Sequence, residues 1–140
     1  DDYIKMPWKN GTGVTNELAV QYKANNPNFD WRISRANVSS DGPFSNFPNI
    51  DRSLIVLPGG GAGLSMISKL SSGDLVKNIL LPLQVVSFSG DSSTTAELLG
   101  TSFDDFNVMT RRGIYSANTS VYSVTRSGLH LLSSTCNQFD

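Results

Sequence analysis

The stretch SLIVLPGGGAGLSMI, residues 53–67, joins two short apolar runs through a proline and a run of glycines. Short aliphatic runs bounded by Gly and Pro are typical of strands and are too short for helices. We therefore predict strands at Ser53–Leu57 and Gly63–Ile67 with a tight connection between them. A phosphate cradle is not expected, because the glycines lack a Gly-Lys-Ser/Thr ending and Leu64 occupies the third glycine position of the dinucleotide fingerprint.

The same pattern recurs on both sides of this stretch. Turn clusters rich in Gly, Pro, Asn and Asp separate the runs, and no window has a convincing helical period. The chain of 140 residues has the length of one domain with one core. The sequence thus predicts a compact all-β sandwich or barrel. The further predicted strands are Val14–Tyr22, Trp31–Ser39, Gln84–Phe88, Phe106–Thr110, Val121–Arg126 and Leu129–Leu132.

Composition excludes several classes of partner. The formal charge is −1 and the charges are mixed, so no basic stripe is available for nucleic acid. No apolar run approaches the ~20 residues of a membrane-spanning helix. Cys136 is the only cysteine, which favours a reducing compartment. Together with the single His130 it is too little for a zinc site, which takes three or four protein ligands. We expect no metal and no cofactor.

Arginines embedded in strands are the most informative polar feature. Strand alternation places Arg32 and Ser34 on one face, opposite Trp31 and Ile33. A guanidinium among apolar residues needs an anionic partner, and two interpretations stay open for each arginine. One is a structural ion pair, and the other is a bound ligand. Taken together, the arginines and tryptophans favour a pocket for a small carboxylate. The candidate structural partners are Asp30, Asp41, Asp51 and Asp105.

Four motifs carry a resemblance to a known family. They are PWKNGTGVTNE (7–17), FDWRIS (29–34), DGPFSNFPNIDR (41–52) and DFNVMTRRG (105–113). In this order they resemble the HutD/Ves family. The resemblance implies a cupin-like fold, an RmlC-like jelly roll forming a bicupin barrel. It also implies a bacterial cytoplasmic protein, a single domain over residues 1–140 that lacks part of the family's terminal strands, and no established enzymatic activity.

The resemblance further implies a polar pocket for a small anionic metabolite. The protein would serve histidine utilisation, with formylglutamate or urocanate as candidate ligands, or a stress response. The implied ligand-binding positions are Trp8, Asn10, Thr15, Glu17, Arg32, Asp41, Arg52 and Asn107.

Three functions remain as hypotheses. The favoured one is a metal-free binding protein acting as a sensor or buffer, with no catalytic residue assigned. The alternative is a metal-free isomerase or hydrolase that uses Glu17 or Asp41 as general base on a small carboxylate. The third is an interaction module that forms a homodimer through its barrel edges.

Overall fold

The computed structural model describes residues 3–8, 13–23, 28–59, 61–124 and 129–138, and these residues form strands without any helix. The predicted all-β class is confirmed. No helix in these ranges is long and apolar enough to cross a bilayer. The strands are β1 (Ile4–Pro7), β2 (Gly13–Tyr22), β3 (Phe29–Val38), β4 (Gly42–Pro43), β5 (Ile50–Val56), β6 (Leu64–Lys69), β7 (Leu75–Leu80), β8 (Val85–Ser89), β9 (Ser93–Leu98), β10 (Phe103–Arg111), β11 (Tyr115–Val124) and β12 (Leu129–Gln138).

The strands form two antiparallel sheets and a hairpin. The larger sheet has the order β1-β2-β3-β10-β5-β8, the smaller has the order β4-β9-β6-β7, and β11 pairs with β12. The glycine run therefore connects one sheet to the other. At Gly61 a Cβ atom would lie 2.1 Å from the carbonyl oxygen of Ser102, so a side chain cannot be accommodated without a shift of the backbone. This close approach is the physical reason for glycine at position 61.

The hydrophobic core lies between the two sheets, where apolar residues from facing strands meet. Burial of these side chains supplies the main driving force for the fold. Trp8, Phe44 and Phe88 pack against the edge of this core and are themselves partly exposed. The core consists of Val38, Leu54, Val56, Leu64, Met66, Leu80, Ala96 and Phe103.

The inner face of the larger sheet changes from polar to apolar along its strands. Across β3, β10 and β5 the register aligns Arg32 with Met109 and Arg52, and two residues further on it aligns Ser34 with Asn107 and Leu54. The next rows of this inner face are Ala36–Asp105–Val56 and Val38–Phe103. Because strand side chains alternate between faces, every second residue of these strands points to the inner face. At one end of the sheet these residues are apolar and join the core, and at the other end they are polar.

Four strands, β1, β4, β7 and β9, were not predicted from the sequence, because they are short or because their inward residues are small or few, and β4 has only two residues. In β9 the buried residues are Thr94 and Ala96, which give a weak apolar signal. β7 is an edge strand, and both Leu75 and Val76 are exposed, so alternation is absent. β1 has only four residues.

We expect Leu54→Ala to lower the free energy of unfolding by about 2–5 kcal/mol, because it leaves a cavity at a fully buried position. The matched control is Leu75→Ala, at a strand leucine that is 69% exposed, which should change it by less than about 0.5 kcal/mol. Urea unfolding measures both. Equal effects of the two substitutions would contradict the assignment of the core.

Candidate functional site

The polar end of the larger sheet opens into a cavity of about 570 Å³, which we call the inner cavity. Its floor is the inner face of β3, β5 and β10, and its walls come from the end of β1 and from residues 43–47. Pockets of this size accommodate small metabolites. The lining residues are Met6, Pro7, Trp8, Thr15, Arg32, Ser34, Ala36, Pro43, Phe44, Ser45, Phe47, Arg52, Asp105, Asn107 and Met109.

Arg52 is the most deeply buried cation that lines this cavity, with 5% of the residue exposed. One Nη atom donates to Asn107 Oδ1 at 3.0 Å, and the other donates to the carbonyl oxygen of Ser45 at 3.4 Å. Its guanidinium carbon lies 4.8 Å from the ring centroid of Phe88 and 5.4 Å from that of Phe47. Burial lowers the pKa of Arg52 to about 10, so the group keeps its charge at neutral pH.

Arg32 lies in the same cross-strand row as Arg52. Its guanidinium carbon is 5.1 Å from the Phe47 centroid and 4.8 Å from the Phe29 centroid, and Nη2 lies 3.5 Å from the sulfur of Met109. Phe47 therefore contacts both guanidinium groups. Burial lowers the pKa of Arg32, and the charge of Glu17 partly opposes this effect.

Neither cavity arginine forms an ion pair with a described residue. The ion pairs of the described residues join Arg35 to Asp104, Arg111 to Asp30, and Arg112 to Asp51 and Asp91. These three arginines therefore form the structural ion pairs that were one of the two interpretations open for each arginine. Within the described ranges, the buried Nε atoms of Arg32 and Arg52 have no hydrogen-bond partner. Two cations that line one cavity without an ion-pair partner among the described residues are suited to an anionic ligand.

A second polar group lies at the base of the cavity. Asp105 is 1% exposed, and its Oδ1 accepts a hydrogen bond from Asn107 Nδ2 at 3.1 Å. Burial raises the pKa of Asp105 to about 7, although Asn107, the charge of Arg52 and the backbone N–H of Ala36 favour the ionised form. Asn107 thus links a buried carboxyl group to a buried guanidinium group.

The end of β1 forms one wall of the cavity through Trp8. Its indole Nε1 donates to Thr15 Oγ1 at 2.8 Å, and its backbone N–H donates to the carbonyl oxygen of Gly13 at 2.9 Å. A Cβ atom at Gly13 would lie 2.9 Å from the indole ring and 2.6 Å from the backbone oxygen of Asn37. The glycine therefore allows the ring to lie close to the backbone of β2.

The structure brings five of the eight predicted site residues together in the inner cavity. They are Trp8, Thr15, Arg32, Arg52 and Asn107.

The other three predicted positions, Glu17, Asp41 and Asn10, are not among the described residues that line the cavity. Glu17 is buried beside this site, where its charge acts on Arg32. Asp41 is exposed, and its Oδ1 accepts the backbone N–H of Leu98 at 2.7 Å, which is a structural contact. Asn10 lies outside the described residues.

Several cavity residues were absent from the predicted site. Asp105 and Met109 lie two residues before and after Asn107 on β10. Because strand side chains alternate between faces, this spacing would have placed them on the same face as Asn107. Phe44 and Phe47 lie in the irregular segment after β4, where no periodicity indicates orientation. Only the folded chain shows that these rings contact the guanidinium groups.

Among the described residues no group of three or more His, Cys, Asp or Glu side chains is arranged to hold a metal ion. The side chain of His130 is not among those described. The expectation that the protein uses no metal or other cofactor stays a prediction.

Comparison with known proteins relates most of the chain to one family. A family model described as HutD matches residues 1–138. An uncharacterized 21.2 kDa protein in the hutC 3′ region of Pseudomonas putida is 37% identical over 108 residues, which are 77% of this chain and 54% of the relative. Protein Ves of Escherichia fergusonii is 37% identical over 114 residues, 79% of this chain and 56% of the relative. The chain spans a little over half the length of these relatives.

Solved structures agree with this relationship. HutD from Pseudomonas fluorescens SBW25 is 32% identical with a TM-score of 0.75, covering 87% of this chain and 63% of that one. A cupin domain of an XRE family transcriptional regulator from Enterobacter cloacae has a TM-score of 0.51 at 14% identity, covering 71% of this chain and 96% of that domain. The second likeness concerns the fold alone. The cupin-like class expected from the sequence is confirmed, and the single-domain assignment with incomplete terminal strands stays a prediction.

The raised pKa of Asp105 has a consequence for stability. The folded protein holds this proton up to a pH of about 7, whereas an unfolded aspartic acid releases it near 3.9. We therefore expect the free energy of unfolding to fall as the pH rises from about 4 to about 7. Asp105→Asn should remove this fall, as measured by urea unfolding at pH 5 and pH 8.

The matched control is Asp104→Asn on the same strand. Asp104 faces the opposite side, where Arg35 and Asn37 bind its carboxylate, and its pKa is lowered. In this variant the free energy of unfolding should still be lower at pH 8 than at pH 5. A wild-type protein whose stability is the same at both values would contradict the burial of an ionisable Asp105.

Proposed function

The chain belongs to the HutD family, as its motifs predicted, and from this premise we propose that it is a metal-free binding protein for a small anionic metabolite. The inner cavity is the binding site in this proposal. Arg32 and Arg52 bind the anionic group, and Trp8 and Phe47 form apolar walls beside it.

The observation that supports the proposal is the pair of guanidinium groups in one cross-strand row. Arg32 and Arg52 flank Met109, and neither forms an ion pair with another described residue. A buried cation without an anion costs several kcal/mol, which aromatic faces offset only in part. A carboxylate in the cavity would balance the charge of the two guanidinium groups, so it is the ligand chemistry that this cavity favours.

The biological role in this proposal is that of a sensor or buffer in histidine utilisation. A relative described as a protein in the hutC 3′ region supports this role over a role in stress response. N-formylglutamate and urocanate are the candidate ligands, since both carry carboxylates and fit a cavity of about 570 Å³.

The proposal includes a bacterial cytoplasmic location. It includes no nucleic-acid or membrane partner, in line with the formal charge of −1. A homodimer is the one protein partner it leaves open.

The alternative enzyme hypothesis receives less support from the geometry. Asp41, one of its two candidate bases, accepts a hydrogen bond from the backbone N–H of Leu98 and is not among the residues that line the cavity. Glu17, the other candidate base, is buried beside Arg32 but is not among the residues that line the cavity.

We expect titration calorimetry to detect binding of N-formylglutamate or urocanate, and Arg32→Ala to weaken it at least tenfold. The loss of one charge-assisted hydrogen-bonding partner costs about 1.5–3 kcal/mol, which corresponds to this change. Arg35→Ala is the matched control, because Arg35 lies on the same strand with its side chain 53% exposed and pairs with Asp104. It should leave the affinity unchanged.

Two results would contradict the proposal. One is the absence of binding across a panel of carboxylates that includes formate, glutarate, N-formylglutamate, urocanate and histidine. The other is equal weakening by Arg32→Ala and Arg35→Ala, which would place the ligand outside the inner cavity.

Tryptophan fluorescence gives a second test of the ligand's position. Trp8 lines the inner cavity, whereas Trp31 lies in the cross-strand row of Thr110 and Asp51, on the other face of β3. A bound ligand should therefore change the emission of Trp8. Trp31→Phe should keep the ligand-dependent change and Trp8→Phe should lose it, and the reverse pattern would refute this placement.

A further inference from the structure

Asp105 and Arg52 are connected through the side chain of Asn107. The Asn107 amide donates from Nδ2 to Asp105 and accepts at Oδ1 from Arg52, over distances of 3.1 and 3.0 Å. An amide that is held from both ends cannot turn over without losing both hydrogen bonds. The carboxyl group at one end therefore fixes the amide orientation that presents Oδ1 to the guanidinium group at the other end.

The surroundings of Asp105 leave few charges to act on it. Its cross-strand neighbours are Ala36 of β3 and Val56 of β5, which carry apolar side chains. The charges that act on it within the described residues are Arg52 of β5, which favours ionisation, and Asp104 of its own strand, which opposes it. Met6, Trp8 and Thr15 of the adjoining wall are uncharged.

Two other charges act on this site indirectly. Burial lowers the pKa of Arg52 and the charge of Arg32 of β3 adds to this effect, whereas the charge of Glu17 of β2 partly offsets the burial that lowers the pKa of Arg32. Two cations thus share the inner cavity, and among the described residues Asp105 is the carboxyl group that lines it.

We infer that Asp105 is a positioning residue whose proton regulates anion binding, so that an anion entering the inner cavity is accompanied by proton uptake at Asp105. This inference rests on the proposed function, because it concerns how the same site holds its ligand. An ionised Asp105 offsets the charge of Arg52 and repels an anion. A protonated Asp105 leaves that charge available while one oxygen still accepts from Asn107.

The direction of the pH dependence follows from this linkage. Burial raises the pKa of Asp105 to about 7, and a bound anion raises it further. Binding should therefore be tightest below pH 7 and should weaken as the pH rises toward 9. A rise of about one pKa unit on binding corresponds to a loss of affinity of about tenfold.

The test is titration calorimetry with N-formylglutamate from pH 6 to pH 9, in HEPES and in Tris, which differ in ionisation enthalpy. The carboxylates of this probe do not titrate in this range. We expect a dissociation constant that rises about tenfold with pH, and a binding heat near pH 7.5 that depends on the buffer because a fraction of a proton is taken up. Asp105→Asn should bind with the same affinity at both ends of the range and without proton uptake.

The matched control is again Asp104→Asn, which removes a neighbouring carboxylate on the opposite face. It should keep the pH dependence and the proton uptake, displaced slightly toward lower pH because Asp104 contributes to the raised pKa of Asp105. If Asp105→Asn fails to fold, a carbon-detected NMR titration of the Asp105 carboxyl group in the wild-type protein replaces it. Its midpoint should rise when N-formylglutamate is added.

The outcomes separate this inference from the proposed function. A dissociation constant that is unchanged from pH 6 to pH 9, a pH profile that survives in Asp105→Asn, or an NMR midpoint unmoved by the probe would overturn the inference and leave the binding function intact. Absence of binding by N-formylglutamate and by the whole carboxylate panel at every pH would overturn both.

Discussion

The burial of a charged guanidinium group inside the larger sheet is the constraint that organises this protein. Moving a cation from water into a protein interior costs several kcal/mol unless its donors and charge are satisfied. At Arg52 the interior supplies an amide oxygen, a backbone carbonyl and aromatic faces. The segment after β4, which carries Ser45 and Phe47, must therefore lie across the end of β5, and in doing so it forms one wall of the inner cavity.

The core and the site share the same strands, and this sharing explains how the site is held in place. β10 contributes Phe103 to the hydrophobic core and Asp105, Asn107 and Met109 to the cavity, all on one face. Because the core end of the strand is closely packed, the polar end has little freedom to shift. Ion pairs outside the cavity, such as Arg111 with Asp30, connect β10 to β3 near the same end.

Much of the fold could be predicted from the sequence, but less of the site could. Strands with strong alternation or continuous aliphatic runs, such as β3 and β5, were predicted, whereas β9 was missed because its inward residues, Thr94 and Ala96, are small. Arg32 and Asn107 were found because they belong to motifs. Phe47 was not predicted as a site residue, since it lies in an irregular segment where sequence spacing does not determine the direction of a side chain.

The sequence by itself determined the all-β class, the family and the presence of arginines within strands, because alternation, turn residues and long motifs are local properties. Only the tertiary structure decided which arginines are neutralised. Asp30 pairs with Arg111 and Asp51 with Arg112, at sequence separations of 81 and 61 residues, whereas Arg32 and Arg52 face a cavity. Charge pairing depends on distance in space, and the strand order that sets those distances arises only when the two sheets pack together.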